Sequence, residues 1–367
     1  MNKLKSLQTL SAIICVCLLT MGAISWLVVE TLPPTEKLKN IDHRESITVD
    51  TSPVIPQAQP LANENTMATQ SATPWTLLST GDMMLGRSVN SIGARKKDFS
   101  WSRREVNPYL ANFDLVVANL ETPITDPCPV TDEGMIFCAD ASAAAALAAS
   151  NIDIVTLANN HVYNHGPDGY RQTQDLLAGA GELYVNDTDI LTFTREGITY
   201  GLLAYDDVTY PIDLDDWRNM ITHAASQVDV LIVALHFGIE YVYTPTNRQI
   251  TLAHAAIDSG AILILGNHSH WLGSVEKYHG GAIIYSHGNF VFDQEWSNET
   301  KAGLAAAWHW QGRELVGVDI YPIHITNYGL SHWAAGTTVG EQILDVFQRE
   351  SSSGARLDDH VTINLTD

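Results

Sequence analysis

Five short polar motifs, each closing an apolar run, carry residue types that bind divalent metals. They are Gly81-Asp82, Asn119-Leu120-Glu121, Asn159-Asn160-His161, His236-Phe237-Gly238 and Gly266-Asn267-His268-Ser269-His270. Carboxylate, amide and imidazole donors form the ligand sets of hard to borderline cations, and loops after successive strands are where an α/β scaffold assembles a site. Each motif alone has an ordinary reading. Asp82 can cap a strand end, Asn160 and His161 can form a hydrogen-bonded turn, His236 can be a satisfied core histidine, and Asn289 can be a turn residue. Recurrence at five strand ends points instead to one dinuclear metal centre. His165, His254, His279 and His309 fall outside these motifs and read as surface or helix residues.

The elements that must position these motifs are short β-rich runs: Trp75 to Thr80, Leu115 to Asn119, Ile154 to Leu157, Leu231 to Leu235 and Ile262 to Leu265. Between them, Ala141 to Ala149, Gly169 to Leu177 and Thr251 to Asp258 carry helix formers, with Gly260 as a helix stop. This alternation predicts an α/β fold. Later segments, Gly281 to Ser286, Leu304 to Trp310 and Val316 to Ile325, read as strands with few intervening helices and predict a second sheet packed on the first. There is no internal repeat and no phosphate-cradling Gly-x-x-x-x-Gly-Lys.

Three regions follow: an anchor over residues 1–30, a stalk over 31–74 and a globular domain over 75–367. Leu7 to Val29 is apolar apart from small hydroxyl residues and Gln8, long enough to span a bilayer, with Lys3 and Lys5 before it and Glu30 after it. The positive charges place the N-terminus in the cytoplasm and the main domain outside, as a single-pass cell-membrane protein. A cleaved signal peptide is the alternative, but the run exceeds an ordinary h-region and no small-x-small site follows it. Cys15 and Cys17 lie inside this run. Pro33, Pro34, Pro53, Pro56 and Pro60 amid Ser, Thr, Gln and Asn give the stalk a flexible composition. Cys128 and Cys138 flank a short loop and can close as a disulfide in an oxidising compartment or remain free thiols.

The motifs, extended, resemble a known family. Gly81-Asp82-Met83-Met84-Leu85-Gly86-Arg87, Asn119-Leu120-Glu121-Thr122-Pro123, Ala158-Asn159-Asn160-His161, His236-Phe237-Gly238-Ile239-Glu240-Tyr241 and Tyr285-Ser286-His287-Gly288-Asn289-Phe290-Val291-Phe292-Asp293-Gln294 are similar to the CapA family of poly-γ-glutamate capsule biosynthesis proteins, relatives of the calcineurin-like metallophosphoesterases. The resemblance implies a four-layer αββα sandwich with a metal site at one edge of the central sheets. It implies two divalent ions (manganese, iron or zinc), with Asp82 and His270 on one, Asn160, His236 and His268 on the other, and Glu121 bridging. His161 would be the general acid of a hydrolase. Glu240 and Asn289 would be substrate-side residues or would orient ligands. Two departures stand out: Met84 occupies the histidine position of the superfamily's Asp-x-His motif, and Glu121 stands where an Asp is usual.

Charge adds a constraint. With 42 acidic against 20 basic residues, most of the surface repels polyanions, and nucleic-acid binding is excluded as a general property. Arg87, Arg95, Lys96, Lys97, Arg103 and Arg104 gather after the first metal motif, either as a solvated loop or as a place for a carboxylate or phosphate, with Arg87 the foremost anion-binding candidate. Two function classes remain. One is a hydrolase acting outside the membrane on a phosphoester or an amide-linked polyanion. The other is a non-catalytic capsule-assembly or polymer-binding component that works with membrane capsule-synthesis proteins.

Overall fold

The computed structural model describes residues 48–50, 73–187, 189–351, 354–357 and 359–366. Among the described residues the strands form two large mixed sheets. The first, of seven strands, runs in the order Thr48–Asp50, Leu191–Arg195, Ile198–Asp206, Val230–His236, Ala261–Asn267, Gly281–Ile284, Val275–Tyr278. The second, of ten, runs Ala355–Arg356, Val361–Asn364, Glu314–Thr326, Ala302–Gln311, Trp75–Met83, Leu115–Leu120, Ile154–Thr156, Leu183–Val185, with Asn289–Val291 added to Trp75–Met83 and Leu330–Trp333 to Glu314–Thr326.

Side-chain alternation assigns the faces. In Val230–His236, Val230, Ile232 and Ala234 join a core shared with the other sheet, while Leu231, Val233 and Leu235 pack under helices Leu214–Ala225 and Asn247–Asp258. In Leu115–Leu120, Leu115 and Val117 face the inter-sheet core, and Val116, Ala118 and Leu120 face helices Arg87–Lys96, Ser142–Ala148 and Gly166–Ala180. The order of layers is therefore helices, sheet, sheet, helices, in line with the α/β expectation. The C-terminal helix Thr338–Ser351 was not foreseen; its Ile343, Leu344 and Phe347 bury in the inter-sheet core.

Local chemistry fixes the helices. Thr246 and Gln249 form a reciprocal capping box that starts Asn247–Asp258 four residues earlier than the sequence pattern suggests. Asp213 caps Leu214–Ala225, and left-handed Gly181 ends Gly166–Ala180. The expected strands form but are shared out differently from the expected first and second sheets: Gly281–Ile284 joins Val230–His236 and Ala261–Asn267, while Ala302–Gln311 and Glu314–Thr326 join Trp75–Met83 and Leu115–Leu120. Cys128 and Cys138 are disulfide-bonded.

Parallel strands bring their C-terminal ends to one edge, Ile198–Asp206, Val230–His236, Ala261–Asn267 and Gly281–Ile284 in one sheet, and Trp75–Met83, Leu115–Leu120, Ile154–Thr156 and Leu183–Val185 in the other, where the short Asn289–Val291 also pairs parallel with Trp75–Met83. The carboxyl ends of parallel strands are where such folds bind ligands.

No helix of the described residues is long and apolar enough to cross a membrane. The Leu7 to Val29 segment lies outside them, as does most of the 31–74 stretch. Within that stretch, Thr48–Asp50 pairs antiparallel with Leu191–Arg195.

Candidate metal centre

Strand register brings the motifs together. Asp82 is level with Asn119, and His236 with both Asn267 and Asp206. His236 has the same parity as Val230, Ile232 and Ala234, so it points toward the other sheet. A register shift between Ser79 and Asp82 changes the parity of the Trp75 strand and turns Asp82 to the side of Asn119. Gly81 allows this: a Cβ there would lie 2.0 Å from the Gly288 carbonyl oxygen.

Asp82 and Glu121 are both fully buried. Asp82 Oδ1 accepts from Asn119 Nδ2 at 2.8 Å, and its Oδ2 accepts from the His268 backbone N–H at 3.1 Å and lies 3.2 Å from His270 Nδ1. Burial alone would raise the Asp82 pKa, but the His270 hydrogen bond and the charges of His236 and His270 carry it below the ordinary carboxylate range. Around His236 Nε2 stand Asn160 Oδ1 at 2.9 Å and His268 Nδ1 at 3.2 Å. Glu121 Oε1 lies 4.0 Å from His236 Nε2, 3.9 Å from His270 Nε2 and 3.8 Å from His161 Nε2.

Among the described residues, neither carboxylate oxygen of Glu121 has a hydrogen-bond partner. Burial, and then the Asp82 charge, push its pKa well above the usual range. Burial likewise depresses His236 well below an ordinary histidine, and His268 to about 4. Neutral imidazoles beside an unpaired buried carboxylate are what a divalent cation requires of its ligands. Donors about 2.1 Å from one cation and at right angles to each other stand about 3 Å apart. His236 Nε2 stands at about that separation from both Asn160 Oδ1 and His268 Nδ1, whereas His270 Nδ1 approaches Asp82 Oδ2 and Asn289 Oδ1 as a hydrogen-bond donor. Ligand atoms of Asp82, Glu121 and His236 all lie within 4.8 Å of one another, so this group can hold a metal ion.

His268 and His270 have φ of 100° and 56°, left-handed values that are unfavourable for non-glycine residues. Such backbone persists where surrounding structure over-determines it, as at ligand sites.

Other expected residues take distinct places. His161, 8% exposed, has Nδ1 3.1 Å from Asn164 Oδ1 and its ring stacked on Phe137; burial lowers its pKa. Asn289 Oδ1 lies 3.0 Å from His270 Nδ1, while its Nδ2 donates to Gln294 Oε1 and the Thr300 carbonyl. Glu240 lies close enough for its charge to act on Glu121, His161 and His268. Arg87 is ion-paired with Asp293, and its guanidinium lies 4.7 Å from the Phe137 ring centroid. The basic cluster is not one loop: Arg95 and Lys96 form the last turn of helix Arg87–Lys96, where positive charge suits the helix dipole. Arg103 is buried, bonded to Ser102 Oγ and the Phe99 carbonyl, and burial brings its pKa down to about 10. Met84 is buried and its sulfur accepts from the Gly86 N–H.

Sequence reasoning quoted Asn119 within a motif but gave it no role of its own; its amide oxygen also accepts from Thr156 Oγ1 and Asn159 Nδ2. Sequence reasoning missed Asp206, which ends the strand beside His236 and bonds the Val208 and Thr209 N–H groups. Asp206 carries the same signal as the motifs that were found, an acid closing the apolar run Leu202-Leu203-Ala204-Tyr205.

The bacterial capsule synthesis protein family PGA_cap matches residues 76–294, a span that takes in every residue of this centre. The chain belongs to that family. PGA_cap is part of the metallophosphoesterase-like superfamily. The chain is 30% identical over 278 residues to capsule biosynthesis protein CapA of Bacillus anthracis, covering 68% of this chain and 67% of that one. It is 30% identical to the PGA biosynthesis protein CapA of Bacillus subtilis, covering 67% of this chain and 70% of that one. A probable polyglutamine synthesis accessory protein of Mycobacterium tuberculosis is 27% identical over 59% of this chain and 66% of its own length. The PGA_cap match also spans the Cys128–Cys138 loop beside the centre.

Proposed function

We propose that this protein is a membrane-anchored, extracytoplasmic component of poly-γ-glutamate capsule biosynthesis and a hydrolase of a phosphoester or an amide-linked polyanion. The relatives' names, which refer to capsule, PGA and polyglutamine synthesis, support the process. The observation that carries the chemistry is Glu121, whose buried and unpartnered oxygens face three imidazoles.

Asp82 and His270 would hold one divalent cation, Asn160, His236 and His268 a second, with Glu121 serving both. Cations bound there would supply Lewis acidity and an acidified water. The chain's own residues do the rest. Asn119 orients Asp82 by a hydrogen bond, Asn289 orients His270, and His161 holds its Nε2 at the pocket face, where it can take up a proton and pass it to a leaving oxygen. Glu240 stands on the substrate side, and manganese, iron or zinc would suit the mixed oxygen and nitrogen donors.

A specific observation favours the second reading, a polymer-binding protein without catalysis. Met84 replaces the histidine of Asp-x-His, and its sulfur is taken by the Gly86 N–H, so one of two cations would have a weaker donor set.

Metal content per purified chain decides between these readings when measured with His268→Ala, His270→Ala and His161→Ala variants and a screen of phosphoesters and oligo-γ-glutamate. About two metals, lost in the first two variants, with turnover lost but metal kept in His161→Ala, is the expected result. A chain that takes up no metal after reconstitution overturns the hydrolase. Bound metal without turnover on any of these substrates supports the binding protein.

A further inference from the structure

We propose that Asn164 and Phe137 are positioning residues that hold the His161 ring as its Nδ1–H tautomer with Nε2 toward Glu121, and that the Cys128–Cys138 disulfide loop is the tether that keeps Phe137 there. This rests on the reading of His161 as the proton-handling group.

The tautomer follows from donor and acceptor accounting. The Phe137 backbone N–H donates to Asn164 Oδ1 at 2.7 Å. A backbone N–H can only donate, so the Asn164 atom facing it is the carbonyl oxygen and not the amide nitrogen. The same oxygen lies 3.1 Å from His161 Nδ1. It has no hydrogen to give, so Nδ1 carries one. The neutral ring therefore presents a bare Nε2 to the pocket, 3.8 Å from Glu121 Oε1.

The ring plane is fixed separately. Phe137 stacks on His161 with centroids 4.1 Å apart and planes inclined by 27°. Phe137 precedes Cys138, and the bridge to Cys128 closes the loop that carries it. The tip of that loop exposes Val130, Met135 and Ile136 and has no regular secondary structure. Its order comes from the bridge and from Arg87, which lies over the Phe137 ring and donates from Nη1 to the Gly134 carbonyl at 3.3 Å. Loop, ring and amide thus form one assembly around His161, and its sequence signal is Asn164 three residues after that histidine.

The test is nitrogen NMR of the full-length purified protein labelled at histidine, with the His161 signals assigned by His161→Gln. The wild-type ring is expected to show protonated Nδ1 and bare Nε2 while neutral. Asn164→Ala should let Nε2–H appear, and Asn164→Asp, which keeps an acceptor, should restore the wild-type pattern. Phe137→Ala and the double variant Cys128→Ser with Cys138→Ser should give a mixture of tautomers with metal content unchanged. An Nε2–H ring in the wild type, or no change in Asn164→Ala, overturns the proposal. The readout needs no substrate, so a failed substrate screen sinks the hydrolase and leaves this assignment standing, whereas the reverse result separates them the other way.

Discussion

His270 Nδ1 lies 3.2 Å from Asp82 Oδ2, joining the loop after a strand of one sheet to the end of a strand in the other. The centre is therefore also the seam of the sandwich. Asp82 accepts from Asn119 within its own sheet and from the His268 backbone across the seam, so ligand geometry and sheet packing constrain each other. Groups that would repel or stay unpaired without a cation become cross-links with one.

Glu121 makes this testable. In metal-free protein its buried, unpartnered carboxyl is pushed well above the ordinary value of 4.5, so the folded chain binds a proton that the unfolded chain releases. Stability of the metal-free form should then fall as pH rises above about 4.5. Glu121→Gln should remove that slope and raise the metal-free stability at neutral pH, while abolishing metal uptake. In the wild type, cation at about a hundredfold over its Kd should add about 2.7 kcal/mol, or about 5 °C in Tm for a domain of this size. Thermal melts with and without chelator at two pH values check both; a metal-free wild type as stable as Glu121→Gln would refute the buried-charge argument.

His287 makes a second, independent pH effect. It is fully buried between the sheets: its Nδ1–H donates to the Gly266 carbonyl, its Nε2 accepts from the Ser79 hydroxyl, and Ser79 Oγ accepts from Trp308 Nε1. Burial pushes its pKa from 6.5 down to about 4. Between those values the unfolded chain binds the proton and the folded chain does not, so stability is complete above about 6.5 and falls as pH drops toward 4. The loss attributable to this residue is about 3 kcal/mol. His287→Phe should reduce the acid slope by that amount in denaturant titrations run beside the wild type; equal slopes would show that His287 charges freely in the folded state.

Arg87 was expected to hold an anion, yet it is only 11% exposed at its side chain and is paired with an Asp293 that is 4% exposed. Removing one partner of a buried pair leaves the other uncompensated, at about 3 kcal/mol. Arg87→Met should lower stability by about that much, and Arg87→Met with Asp293→Asn should recover part of it. Unchanged stability with weakened phosphate binding would return Arg87 to the anion role.

The parallel strands and their polar ends were legible because each apolar run is buried on both faces and stops at a donor residue, as Leu231 to His236 does. Which donors meet was not legible in spacing: nothing in the sequence says that His270 lies beside Asp82 rather than His236. Helix Arg87–Lys96 was hidden by its charges: its buried face consists of Val89, Asn90, Ser91 and Gly93, too polar to show a helical period. Asn119 and Asn164 were given no role for a different physical reason: they act by holding another side chain, a property of three-dimensional neighbours that residue type alone does not reveal.

The Gly81-Asp82 motif separates a glycine that positions the site from one that merely tolerates its place. At Gly81 an added Cβ would meet the Gly288 carbonyl oxygen at 2.0 Å, and that same oxygen accepts the Asp82 N–H at 3.0 Å. Backbone on both sides leaves no flexible end to yield, so Gly81→Ala must move the Asn289–Val291 strand or Asp82 itself, a disruption of about 3 kcal/mol. At Gly179, exposed within helix Gly166–Ala180, an added Cβ meets nothing within 4 Å. Gly179→Ala should stabilise by about 0.5–1 kcal/mol through helix propensity. Chemical denaturation with metal analysis of both variants should show opposite signs in stability, with metal lost only in Gly81→Ala. A Gly81→Ala protein that keeps wild-type stability and metal content would mean that the close approach of the Gly288 carbonyl does not position Asp82.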